Sequence, residues 1–597
     1  MSAGRPQPVA AGHDFRGRAR ARLIAVARGD DAPDLVIEGA RVFCAFTREW
    51  LEGDVAVADG RIAGIGAFAG GERIDARGQF LVPGFVDAHM HVESSKLVPA
   101  EFARAVLPHG TTTVVCDPHE VANVLGSDGV HWMLDASEGL PLTVFVMAPS
   151  CVPASSFESP RRALTAGDME AILRRRRALG VAEMMNFPGV VAGDPEVLAR
   201  LEVRDASHAD GHAPGVLGRA LDAYAAAGIA SDHEATSFEE ALEKRRRGLW
   251  VLLREADGAR NLRDLLELVR RYGPEGCAFC TDDREPGTLV AEGHVNAMCA
   301  TAVAEGIAPE DALVMATLHA ARCHGVRDAG AIAPGLRADL VLLEDLVEFR
   351  PELVLAEGSV AARDGAALPQ PRPAMPAFVR DTVRIAPVRD DDLSLGAPVG
   401  DVRVIELVPG QILTTVGVAE PSVREGRVVV DPGRDLAKIA VIERHHATGR
   451  IGVGLVRGFG LRRGAFASTV AHDAHNLVVV GVDDRDMLAC IARLAELGGG
   501  VAVAADGKVR GELALPVAGL LSEEPVEAVA ERMATLEALL AEQGVTAAAP
   551  FMALSFLALS VVPELKVTDL GLVDVGRGEV VPLGIEAPAA ALSGDAS

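Results

Sequence analysis

Apolar and polar positions along the first 365 residues fall into two textures. From about 33 to 81, runs such as "DLVIEGARVFCAF" and "DVAVADGRIAGIGAF" alternate with Gly- and Asp-containing turns, the pattern of a small all-β unit. The same texture returns at about 325–365 in "GAIAPGLRADLVLLEDL" and "PELVLAEGSVAARDG". Between these flanks, short apolar runs recur, each closing on polar residues and followed by a helix-like stretch. They fall at 80–91, 111–117, 142–150, 180–186, 207–212, 228–234, 249–255 and 277–283. Eight β–α units in series predict an α/β protein with a (β/α)8 TIM-like barrel. The two flanks predict one β-sandwich assembled from both sides of it. A Pro-rich stretch, "AALPQPRPAMPAF" at 366–378, reads as a linker, and the remainder mixes β runs with helices such as "EPVEAVAERMATLEALLAEQG". The expected layout is an N-terminal segment with the first sandwich part at 1–80 and the barrel at 81–324. The second sandwich part and linker follow at 325–378, and a C-terminal α+β domain at 379–597.

The first of these runs carries an unusual end, "PGFVDAHMHVESS" at 83–95. In a regular strand Asp87, His89, His91 and Glu93 all project to one side, and four polar groups there are costly to bury without compensation. A bound cation and a hydrogen-bonded histidine pair both satisfy that requirement, and H-x-H alone does not choose between them.

Composition narrows the functional classes. At 597 residues the chain exceeds a single core and predicts two or three domains. Its 58 Lys and Arg against 84 Asp and Glu give a net charge of -26, which repels phosphate backbones. Nucleic acid and anionic membranes are therefore not expected as partners; a small neutral or cationic molecule is. The opening "MSAGRPQPVAAGHDFRGRARARLIAV" lacks the continuous apolar core of a secretory signal. "FMALSFLALSVV" at 551–562 is too short to span a bilayer and predicts a buried element. Eight scattered Cys suit a reducing compartment and a cytoplasmic location, and Cys277 and Cys280 read as packing rather than redox or zinc chemistry. "RRRR" at 174–177 and "KRRRG" at 244–248 read as solvated helix faces.

In such barrels chemistry gathers at the C-terminal ends of the strands. Those ends supply His89 and His91, Glu183, His212, His233 and Asp282. Four histidines, a carboxylate between them and a final aspartate suit two divalent metals, with Glu183 bridging and Asp282 facing an activated water as general base and then general acid. "CDPHE" after the second run adds Asp117, His119 and Glu120, either beside the metals and substrate or as a turn with a capping carboxylate. Glu93 is placed to orient a ligand histidine, and Asp283 to support Asp282. In "AHDAHN", His472, Asp473 and His475 either reach the barrel mouth or fix a turn, and the turn is the slightly preferred reading.

"PGFVDAHMHVE", "GHAPG", "TDD" and "GAIAPGLRADLVLL" resemble the amidohydrolase superfamily. The longer strings "GTTTVVCDPHEVANVLG", "AEMMNFPGVV", "CTDDREP" and "GFGLRRGAFASTVAHDAHNLVVVG" resemble the bacterial adenine deaminase family within it, over nearly the whole chain. That resemblance implies hydrolysis of adenine to hypoxanthine and ammonia with two divalent metals, manganese or iron, with zinc as a further candidate. It implies purine salvage as the setting, and a homo-oligomer is expected. Glu183 occupies the strand-4 position where several superfamily members carry a carboxylated lysine. The competing enzyme is a superfamily hydrolase acting on an amide or cyclic amide; the competing non-enzyme is an inactive scaffold, against which all six ligand positions are filled.

Overall fold

The computed structural model describes residues 17–203, 208–409 and 411–585. The opening sixteen residues of the expected 1–80 unit, part of the fifth run, and the last twelve residues of the expected 379–597 domain lie outside the described residues.

Eight parallel strands follow one another through the central region: β1 (Phe85–Met90), β2 (Thr111–Cys116), β3 (Thr143–Ala148), β4 (Ala178–Met184), β5 (Ala209–Gly211), β6 (Ser231–Asp232), β7 (Trp250–Arg254) and β8 (Cys277–Cys280). β1 to β5 pair in sequence order as one sheet and β6 to β8 as another. Single parallel bridges, Ala209 with Ile229 and Met90 with Asp282, link β5 to the approach of β6 and β8 to β1. This curled parallel arrangement fits a TIM-like barrel. One residue set, including Val86, Ala88, Val115, Phe145, Leu179, Leu252 and Ala278, packs as a cluster of its own with Ala320, Ala321 and Cys323. Their strand neighbours, such as Val114, Val144, Val251 and Phe279, pack in the larger cluster with the helices. Both faces of these strands are thus buried, which is why, apart from the short β5 and β6, they are almost wholly apolar.

Two expectations change at the start of β1. The run 80–91 is two strands: Phe80–Pro83 belongs to a flanking sheet, and β1 begins after Gly84. A Cβ on Gly84 would lie 2.1 Å from Thr112 Oγ1, so only glycine permits this crossing. Nor do Asp87, His89 and His91 share one face. A register shift between Asp87 and Met90 resets the alternation. Asp87 instead accepts hydrogen bonds from Thr281 and from the His89 backbone N–H, and its Oδ2 faces His294.

The two flanks meet in one sheet. Leu340–Leu343 pairs antiparallel with Phe80–Pro83 in a seven-stranded sheet, so the two sides of the central region share one ladder. Against it lies a four-stranded sheet, and Ile37, Val42, Val55, Val57, Leu81, Leu340 and Leu353 fill the space between them. The basic runs are less solvated than expected. Lys244 is fully buried, donating to Asp232 Oδ2 at 2.6 Å, Glu240 Oε1 at 2.7 Å and the Ala213 carbonyl at 2.8 Å. Arg177 follows a helix rather than lying on one and donates to the carbonyls of Leu134 and Ser137. Cys277 and Cys280 are buried in β8, and the chain's cysteines are free thiols.

Beyond the linker, an eight-stranded sheet is covered on one face by helix Asp484–Leu497 and on the other by Pro550–Phe556. The apolar run 551–562 is buried there, as its composition predicts. This unit closes onto the ends of the parallel strands. Ser522 exchanges backbone hydrogen bonds with Lys96 and Val98, Ser155 bonds Ser560 at 2.6 Å, and Glu158 Oε2 accepts from Ala474 N at 3.0 Å. Among the described residues no helix is long and apolar enough to cross a membrane.

Candidate active site

Glu183, at the end of β4, stands between two groups of histidines. Its Oε1 faces His91 Nε2 at 3.4 Å, His119 Nδ1 at 3.6 Å and His89 Nε2 at 4.0 Å. Its Oε2 faces His212 Nδ1 at 2.7 Å and His233 Nε2 at 3.3 Å. Asp282 Oδ1 completes the group, 3.2 Å from His91 Nε2 and 3.9 Å from His89 Nε2. The six residues expected as ligands therefore converge.

Local structure aims each of them. The His91 ring is held by Nδ1 against the Asp117 carbonyl at 2.9 Å, which turns Nε2 toward both carboxylates. His89 stacks on His233 with ring centroids 4.2 Å apart. Tyr224 ties the ends of β4 and β5, donating to the Met184 carbonyl at 2.8 Å and accepting from His212 N at 3.0 Å. Ser150 Oγ donates to the Glu183 carbonyl at 2.7 Å.

Burial opposes charge on His91 and His233, yet Asp282 raises the first and Glu183 the second well above the ordinary histidine range. Burial, reinforced by His233, pushes His89 down to about 3, so its imidazole is neutral. Burial opposes charge on Glu183, yet His212 and His233 hold its carboxyl well below the usual carboxylate range. Burial likewise opposes Asp282, but the His91 hydrogen bond and Arg254 keep it ionised. His89 Nε2 is buried with no hydrogen-bond partner. A neutral imidazole nitrogen left bare among ionised carboxylates is a donor set for a divalent cation, and His89, His91 and Asp282, or His89, Glu183 and His233, bring their ligand atoms within 4.8 Å of one another. The residues fit a metal.

The residues around this core take other parts than expected. Glu93 does not take the His91 Nδ1 hydrogen bond, which goes to the Asp117 carbonyl; its Oε1 accepts from Val121 N at 3.2 Å, and burial followed by Glu120 raises its carboxyl to about 8. Asp117 does not cap the helix that follows, which starts without a side-chain cap; Oδ2 lies 3.2 Å from His119 Nδ1. Glu120 accepts from Ser94 Oγ at 3.3 Å and faces His472 Nδ1 at 3.4 Å. Asp283 bonds Ser94, not Asp282. In "AHDAHN" the turn is only part of the account. His475 Nδ1 accepts from Ala471 N and fixes the turn, while His472 and Asp473 line the cavity.

Several lining residues were not anticipated. Glu234 beside His233 lies 3.4 Å from His233 Nε2 and 3.6 Å from His212 Nδ1. Arg254, the last residue of β7, is paired with Glu234 and donates to Asp282 Oδ2 at 3.0 Å. Both stand at strand ends, in "SDHE" and "WVLLRE", and position alone marked them. Ile412, Phe556 and Leu559 add an apolar wall from the C-terminal unit. About 40 Å³ is left free between these side chains, room for little more than a water.

A buried cluster of histidines and carboxylates at the ends of parallel strands defines the class of metal-dependent amidohydrolases, and residues 80–365 match the amidohydrolase family. Residues 411–579 match the adenine deaminase C-terminal domain. The adenine deaminase of Desulfatibacillum aliphaticivorans is 46% identical over 94% of this chain and 99% of its own. That of Cereibacter sphaeroides strain ATCC 17025 is 46% identical over 95% of this chain and 100% of its own. Among solved structures, a β-aspartyl dipeptidase from Fervidobacterium islandicum AW-1 aligns with TM-score 0.44 and 17% identity, over 57% of this chain and 99% of that one. The chain belongs to the adenine deaminase family.

Proposed function

We propose that this protein hydrolyses adenine to hypoxanthine and ammonia. The observation that carries the reading is Glu183, with histidines on both of its oxygens and Asp282 beside them. His89, His91, Glu183, His212, His233 and Asp282 would hold two divalent ions, which we take as manganese or iron, with zinc as the further candidate. Ions of this kind, when bound, lower the pKa of water toward neutrality and offset negative charge.

The protein's own groups account for the proton traffic. Water oxygen bonds to C6 and the bond from C6 to the exocyclic nitrogen breaks. Asp282 accepts one water proton and passes it to the departing nitrogen, so ammonia leaves neutral. The other water proton ends on ring N1. Arg254 holds the second oxygen of Asp282 and keeps the carboxylate ionised until it is needed. The apolar wall of Ile412, Phe556 and Leu559 excludes bulk water and covers the flat base.

The complete fold we propose is a closed (β/α)8 barrel with a β-sandwich drawn from both flanks and a C-terminal α+β domain, with the boundaries 80, 324 and 378. The parallel bridges of Ala209 and Met90 and the shared ladder of Leu340–Leu343 support it. A cytoplasmic homo-oligomer acting on a small molecule in purine salvage, without nucleic acid or membrane as partner, is consistent with the charge of -26. Ammonia release across adenine, adenosine, guanine, cytosine and N-acyl sugars tests the function. Turnover confined to adenine supports it, and turnover of the N-acyl sugars alone would move the protein to amide hydrolysis.

A further inference from the structure

Asp473 is buried beside the cavity, 1% exposed, and its Oδ2 has no hydrogen-bond partner. Its Oδ1 lies 3.6 Å from His119 Nε2 and 3.8 Å from His472 Nδ1, both longer than hydrogen bonds. The loop that carries it is firmly held. Ala474 N donates to Glu158 Oε2, His472 N donates to Ser555 Oγ at 3.2 Å, Asn476 donates to the Ser159 carbonyl at 3.2 Å, and His472 stacks on Phe556 at 4.8 Å between centroids. Two histidines face Oδ1, but nothing offsets the burial of Oδ2, which is free to accept a hydrogen bond. No Lys or Arg is paired with it among the described residues.

We propose that the missing donor is the imidazole N–H of the free purine base, and that Asp473 is the residue that selects a base over a nucleoside. This rests on the adenine deaminase reading. A free purine carries one such N–H on its five-membered ring; a nucleoside has replaced it with the sugar. Because C6 must face Glu183 and Asp282, the five-membered ring points away from them. The C-terminal unit supplies Asp473, His472, Phe556 and Ile412 to the lining of the same cavity. A site built to accept a hydrogen bond strongly rejects a ligand that lacks the donor, because the acceptor is left buried and unpaired. On this account the C-terminal domain carries part of the substrate site.

Calorimetric binding of the product hypoxanthine and of 9-methylhypoxanthine, with manganese-loaded protein, tests the proposal. Wild type should prefer hypoxanthine. Asp473→Ala should weaken hypoxanthine roughly 10- to 100-fold, the worth of a hydrogen bond to a charged group, and should collapse the preference over the 9-methyl compound. Asp473→Asn keeps a carbonyl acceptor and should retain part of the preference. Unchanged metal content and melting temperature in both variants confirm an intact fold. Equal weakening of the two ligands, or no weakening of hypoxanthine, would overturn the assignment; equal weakening would leave Asp473 positioning His119 instead. Wild-type protein that binds neither ligand and does not deaminate adenine would defeat the deaminase reading itself.

Discussion

Arg254 Nη1 lies 3.0 Å from Asp282 Oδ2, and the other oxygen of Asp282 faces His91 at 3.2 Å. One carboxylate is thus divided between a fixed cation and the histidine cluster. Arg254 is itself held by Glu234 and by Asn261 Oδ1 at 3.2 Å, so its guanidinium has little freedom. Arg254→Met should reduce kcat roughly 10- to 100-fold, since a hydrogen bond between charged groups is lost. Removing the cation should also raise the Asp282 pKa, so the acid limb of the kcat/KM profile should move to higher pH. A lower kcat with an unmoved acid limb would confine Arg254 to packing.

Asp282 and Asp283 should separate cleanly by mutation. Asp282 has φ +57°, a conformation asparagine tolerates, so Asp282→Asn preserves the backbone while removing the proton acceptor. Its kcat should fall by roughly 10²–10⁴-fold. Asp283, bonded to Ser94, should tolerate asparagine with a much smaller loss. The reverse order in steady-state rates would exchange their roles.

Glu183 should govern both metals together. Glu183→Gln removes the charge shared between the two histidine groups, so metal per chain should fall from about two to less than one, both sites failing at once. Plasma mass spectrometry of the purified variant measures this. Loss of one ion alone would show that Glu183 serves a single site.

Lys566 links the wall to the protein's pH response. Fully buried, its Nζ donates to the carbonyls of Ile412 and Phe556, each at 3.0 Å, and so joins the two segments that roof the cavity. Burial lowers its pKa from the usual 10.5 to about 7, and a neutral amine has two N–H groups for those two acceptors. The unfolded chain therefore binds more protons between about 7 and 10.5, and stability rises with pH across that window. Lys566→Met should flatten this rise in melting temperature and raise KM for adenine more than it lowers kcat. A melting profile parallel to wild type would mean the lysine stays charged.

How much of this was legible in the sequence depends on range. The convergence of His89, His91, Glu183, His212, His233 and Asp282 was legible because they stand at or just past the ends of successive strands, and strand ends of a parallel barrel share one rim. The phase of β1 was not, because the shift between Asp87 and Met90 leaves no mark in the alternation; Asp87 reads as a neighbour of His89 and faces His294 instead. Lys244 hid in a basic run although Asp232 and Glu240 bury its charge. Arg254 hid at the end of an apolar strand. The apolar wall was illegible for a different reason: Ile412 and Phe556 lie far along the chain from Glu183, and no local pattern reports a contact across that separation.

The histidine–carboxylate cluster around Glu183 should hold two metals and deaminate adenine. Titrating Mn²⁺ into chelator-stripped protein while following hypoxanthine formation from adenine tests it most directly. Activity should be near zero at first and should rise to a plateau close to two equivalents per chain, as expected of a two-ion site. Full activity in the stripped protein, or a fully loaded protein that leaves adenine unchanged, would contradict the account.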